Sequence, residues 1–135
     1  MIESSNVPTN DMHTRRIVPR WPVPPNVHAM ITTRIGGRSA APYASFNLGV
    51  HVGDMPESVA ENRLRLRALL PAEPVWLDQV HGTRVINAAE ATADRRADAA
   101  FARLPGVVCA VQTADCLPVL FADRRGHTVG VAHAG

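Results

Sequence analysis

Apolar positions fall mostly in short runs with the spacing of strands, and one stretch alone carries the three- and four-residue spacing of a helix. Residues 28–33 predict a strand closed by a Gly36-Gly37 turn. A loop through Pro42 and Tyr43 follows, then a short strand over residues 48–52. Asp54 opens the helix. Asp54 and Glu57 have the offset of a capping box, and Pro56 falls in the first turn, where a missing N–H is harmless. The helix is expected to run to about Leu70, where Pro71 stops it. Val59, Leu66, Leu69 and Leu70 would share a buried stripe, with Arg63 near it and Arg65 and Arg67 in solvent. Five more strands are predicted over residues 75–80, 84–88, 107–113, 117–122 and 127–132, the last two joined by the turn Asp123-Arg124-Arg125-Gly126. Residues 88–102 are alanine-rich, and the pattern leaves their state open. Strands with one early helix predict an α+β domain.

Residues 1–20 are polar and aperiodic and read as a mobile arm; Trp21-Pro22-Val23-Pro24-Pro25 is a stiff, extended approach to a domain covering residues 21–135. A length of 135 residues suits one domain or a piece of a larger one. The stop at Gly135, directly after a strand and without a polar tail, reads as a cut that leaves the fold incomplete at its C-terminus.

Composition narrows the chemistry. Apolar residues make up 46% and charged residues 19%, which excludes a disordered acidic chain. The apolar run 117–122 ends at Asp123, far short of the roughly 18 residues of a membrane span. All 14 basic residues are arginine, so a Schiff-base lysine, a phosphate-loop lysine and a Ser-Lys dyad are excluded within these residues. A net charge of +2 without a basic, aromatic-laced stripe argues against nucleic acid as a partner. Two cysteines seven apart, and no signal-like start, predict a cytoplasmic protein with free thiols. No feature of the sequence fixes an oligomeric state.

Most histidines have plain explanations: His13 lies in the arm, His28 begins a strand and His127 sits beside a turn, while His51 stays open. Cys109, between Val108 and Ala110, reads as a small buried hydrophobe. His81, Cys116 and His133 differ because each sits at the end of a predicted strand, where binding residues gather. A two-residue turn at Arg124-Arg125 would put Cys116 directly across from His133, and a three-residue turn would shift that register by one. Two imidazoles and a thiolate suit Zn²⁺ with a fourth position open to water or substrate. A Cys-His nucleophile pair is the competing reading. A blue-copper centre is disfavoured, because no methionine is placed to serve as the axial ligand. Arg34, at a strand end, and Arg63, near the helix stripe, are candidates for binding an anionic substrate through forked hydrogen bonds.

Several segments together resemble one family. They are Thr32-Thr33-Arg34 with Gly36-Gly37, Asn47-Leu48-Gly49, His51-Val52-Gly53-Asp54, Asn62-Arg63, Gln79-Val80-His81-Gly82, Thr113-Ala114-Asp115-Cys116-Leu117-Pro118 and Ala132-His133-Ala134-Gly135. The chain is similar, from about Trp21 to Gly135, to the YfiH-like proteins, named variously purine nucleoside phosphorylase, polyphenol oxidase (laccase domain) and peptidoglycan editing factor. The resemblance implies a layered α/β/β/α mixed-sheet fold and a zinc site at His81, Cys116 and His133. It also implies phosphorolysis of adenosine, inosine and methylthioadenosine, with deamination of adenosine. Family members continue after His-Ala-Gly with roughly another hundred residues. The leading expectation is a zinc-dependent purine nucleoside phosphorylase whose partners are a purine nucleoside and phosphate. The alternatives are a cysteine hydrolase or peptidoglycan editing factor acting on cell-wall precursors, and an inactive fragment.

Overall fold

A computed structural model describes residues 15–91 and 93–135. Its described residues divide into two compact units, the first holding 15–21 with 28–69, the second holding 22–27 with 70–91 and 93–135. The secondary structure is mixed α+β, as the spacing predicts. Among the described residues no helix is long and apolar enough to cross a membrane.

In the first unit, β1 (Arg16–Ile17) pairs antiparallel with β2 (Ile31–Thr32). The expected arm is therefore corrected over its last residues: the Arg15 carbonyl accepts hydrogen bonds from the Thr33 amide at 3.1 Å and the Thr33 hydroxyl at 2.7 Å. Residues 1–14, including His13, lie outside the described residues. The strand expected over 28–33 shrinks to Ile31–Thr32, and none forms over 48–52. That segment bends because the Asn47 side chain bonds both the amide and the carbonyl of Gly49, leaving Val50 and Val52 in solvent.

Helix α1 (Pro56–Arg67) starts with Pro56 at its first turn, but the expected capping box is absent. Met55 occupies the cap position without a side-chain cap, because the Asp54 carboxylate is taken up by Ser39 Oγ at 2.5 Å, Asn47 Nδ2 at 3.0 Å and the Met55 amide at 2.7 Å. The Ser39 hydroxyl first, with Asn47 and Met55 working against partial burial, holds the Asp54 carboxyl below the usual carboxylate range. The buried helix positions are Val59, Asn62 and Leu66. Asn62 is the surprise on this stripe. Its carbonyl oxygen accepts from the Arg38 amide, and its amide donates to Ser39 Oγ and to the carbonyls of Ser45 and Asn47. Gly37 permits this approach, since a Cβ there would fall 2.6 Å from Asn62 Oδ1.

The second unit is built on a four-stranded mixed sheet. Its strands are β4 (Val85–Asn87), β5 (Ala99–Ala102), β7 (Leu117–Ala122) and β8 (Val129–Ala134), in the order β4-β5-β8-β7. β4 runs parallel to β5, while β8 is antiparallel to both neighbours. Beside it, β3 (Pro74–Val75) pairs parallel with β6 (Val108–Cys109). The alanine-rich stretch thus resolves into a 3-10 turn at Ala88–Glu90 and an inner strand. Alanine suits it, because Ala97, Ala100 and Ala102 are buried with Leu77 and Ala88, and Val75, Ile86, Val107, Cys109, Val111 and Val129 pack around them. Pro118 lies on β7, an edge strand, where a missing N–H is tolerated.

The β7–β8 hairpin corrects the expected register. Its loop is longer than two or three residues: the Asp123 amide bonds the Thr128 carbonyl, and the Asp123 carboxylate accepts from the amides of His127 and Thr128. Pro118, not Cys116, therefore stands opposite His133, and Leu117 stands opposite Ala134. The slip is two residues. Because side chains alternate with a period of two, a two-residue slip keeps Cys116 and His133 on one face as diagonal neighbours.

Candidate metal centre

All three strand-end residues belong to the second unit, and the fold brings them together. His133 lies within β8 and is 9% exposed, Cys116 immediately precedes β7, and His81 occupies the loop before β4. Two connections place that loop. Asp78 and Arg96 form a parallel bridge, and the Gln79 side chain bonds the Gln112 carbonyl and amide, both at 2.7 Å. Gln79 thereby ties the His81 loop to the segment that leads into Cys116.

One ligand atom from each residue lies within 4.8 Å of the others, and Cys116 Sγ is 3.8 Å from His81 Nε2. The imidazoles meet edge to face, with ring centroids 4.7 Å apart and planes at 74°. Bonds of about 2.0–2.3 Å to one tetrahedral ion would set its ligand atoms about 3.3–3.8 Å apart. The cluster is therefore within a small side-chain adjustment of that geometry, and its soft sulfur and two ring nitrogens fit zinc in donor type. Three protein donors also leave the fourth tetrahedral position open. Gly135 closes against the cluster: a Cβ there would fall 2.5 Å from His81 Cδ2 and would displace the His81 ring.

Under the cluster sits Asp98, a residue that sequence reasoning missed. It is 2% exposed, and its two oxygens accept four hydrogen bonds. Oδ1 accepts from the amides of Val80 and Gly82, and Oδ2 from the His81 amide, each at 2.9 Å. Oδ2 also lies 2.8 Å from His133 Nδ1. Burial alone would push the Asp98 carboxyl up, but the Gly82 amide, the His133 ring and the amides of Val80 and His81 together hold it well below the usual carboxylate range. His81 itself has a left-handed backbone, with φ of 57°. The available signal was that Asp98 directly precedes the apolar run Ala99–Ala102, the same strand-end criterion that found the trio.

Arg34 and Arg63 belong to the first unit, where each donates from Nε at 2.9 Å to a loop carbonyl, Arg34 to Ala44 and Arg63 to Leu48. His28, His51 and His127 are exposed. Cys109 packs against the core as expected, and burial pushes its thiol up to about 11. Both cysteines are free thiols.

A family model described as multi-copper polyphenol oxidoreductase laccase matches residues 28–135. The chain is 56% identical over 125 residues to a protein of Escherichia coli K12 named purine nucleoside phosphorylase YfiH, covering 90% of this chain and 51% of that one. It is 53% identical over 119 residues to a Pseudomonas aeruginosa protein also named a purine nucleoside phosphorylase, covering 88% and 49%. A crystal structure of a Neisseria meningitidis protein, assigned to the family model DUF152, superposes with a TM-score of 0.84 at 50% identity, covering 89% of this chain and 50% of that chain. The chain spans about half the length of the relatives it matches.

Proposed function

Since the chain belongs to the multi-copper polyphenol oxidoreductase laccase family, we propose that it is the metal-bearing part of a zinc-dependent purine nucleoside phosphorylase. The observation that carries this reading is the convergence of His81, Cys116 and His133 from three separate stretches of chain. The names of the relatives supply the substrate class, a purine nucleoside with phosphate. Adenosine, inosine and methylthioadenosine are the proposed nucleosides, adenosine deamination is the proposed second activity, and the cytoplasm is the proposed location.

In phosphorolysis a phosphate oxygen bonds to the ribose anomeric carbon as the bond to the base breaks, and the base leaves with the electron pair and takes up a proton. Zinc, when bound, would supply a Lewis acid for the oxygen-centred charge of such chemistry. His81, Cys116 and His133 would hold it and leave one side open. Arg34 and Arg63 are the proposed phosphate ligands, their forks steadied through the Nε bonds to Ala44 and Leu48. The test is metal analysis of the full chain with adenosine turnover before and after chelation. We expect one zinc per chain and turnover that is lost on chelation and restored by zinc. Full turnover in metal-free protein would reject the reading.

The 3.8 Å approach of Cys116 Sγ to His81 Nε2 supports a second reading, a cysteine hydrolase acting on cell-wall precursors. Hydrolysis of muropeptides by zinc-free protein would establish it in place of the first.

A further inference from the structure

Asp98 is an acid without a solvent-facing task. A carboxylate offers about four lone-pair sites. All four are engaged here, three by successive backbone amides at 80–82 and one by the His133 ring. Its backbone is committed as well: the Asp98 amide donates to the Arg84 carbonyl at 3.2 Å, and its carbonyl accepts from the His133 amide at 2.7 Å. The residue is thus fixed between the start of the His81 loop's return and the end of β8. Two of the three cluster members depend on it by different means.

For His133 the means is the tautomer. An ionised Asp98 can only accept, so Nδ1 must carry the proton in the 2.8 Å contact, and in the neutral ring Nε2 is left with a bare lone pair. Only a bare nitrogen can ligate a cation. For His81 the means is the backbone. A left-handed conformation is unfavourable for a non-glycine residue, and three amides converging on one carboxylate offset that cost. This conformation carries the imidazole to the Cys116 sulfur.

We propose that Asp98 is the positioning residue of the cluster, setting the His133 tautomer through Nδ1 and the His81 backbone through the amides of residues 80–82. The proposal rests on the metal reading of the site and is independent of the nucleoside reading, so its test uses zinc alone, with no substrate.

The first measurement needs no variant. Nitrogen NMR of the histidine rings in the metal-free full chain at neutral pH should show His133 protonated on Nδ1. A ring protonated on Nε2 would overturn the proposal. The second measurement is zinc affinity of Asp98→Asn. An amide keeps one acceptor oxygen but turns an N–H₂ toward groups that themselves donate, so the His133 ring should move to the Nε2–H form. Zinc affinity should fall about 10–100-fold. A folded Asp98→Asn chain with wild-type zinc affinity and an unchanged His133 spectrum would overturn the proposal. Should that variant fail to fold, the wild-type ring spectrum still decides. A wild-type chain that binds no zinc would defeat the metal role of the cluster, and with it the positioning role proposed for Asp98.

Discussion

The two thiols of this chain differ in their surroundings, and the difference can be read chemically. Cys109 lies on β6 against the alanine core, and burial pushes its thiol up to about 11. At pH 8 only about a thousandth of it is thiolate, the form that reacts. Cys116 has His81 Nε2 and Asp115 Oδ1 as polar neighbours, each 3.8 Å from the sulfur. Iodoacetamide at pH 8 is therefore expected to label Cys116 and spare Cys109, and saturating zinc should protect Cys116. Peptide mapping by mass spectrometry checks both halves. Label concentrated on Cys109 would contradict the burial argument. At this same scale Asp98 escaped the sequence: the partners of its carboxylate lie 16 to 35 residues away, and most are backbone amides, which leave no mark in the residue code.

Among the elements, helix α1 shows how a polar residue can organise a segment that has no regular structure. Asn62 is fully buried and holds the chain at residues 38, 39, 45 and 47 against the helix. Asn62→Ala would strand several buried donors and acceptors, and we expect a loss of about 2–4 kcal/mol, measured as a lower urea midpoint. Asn62→Asp should also destabilise, because Nδ2 donates where a carboxylate can only accept. The helix was legible from Pro56 in its first turn, and β7 was legible to the residue, because an unbroken apolar run ends there at Asp123. β5 was not. Ala99, Ala100 and Ala102 give it little contrast in the sequence, although their small side chains are what allow it to be an inner strand of the sheet. The hairpin register was missed because the Asp123 carboxylate builds a longer loop than the Arg124-Arg125 turn suggested. The trio survived that error, since alternation put Cys116 and His133 on one face either way.

At the scale of the whole molecule, cation binding and folding are linked. A metal bound by the native cluster alone stabilises the native chain by about 2.7 kcal/mol at a free concentration one hundred times its dissociation constant. For a chain of this size that is a rise of roughly 10 °C in unfolding temperature. We expect zinc to produce such a rise in the full chain and His81→Ala to abolish it, as followed by calorimetry. Equal shifts in both proteins would place the ion elsewhere. The chain spans about half the length of the relatives it matches, so this measurement asks what the present 135 residues hold by themselves.

His133 lies in a single hairpin and Cys116 at its start, whereas His81 reaches them from a loop outside it, fastened through Asp98 and Gln79. A collapsed chain with only the hairpin in place could offer a two-armed grip and no more. Ion capture is thus a gauge of how far the polypeptide has travelled from coil to finished topology, and a thiolate-sensitive ion such as cobalt would make that journey visible as colour.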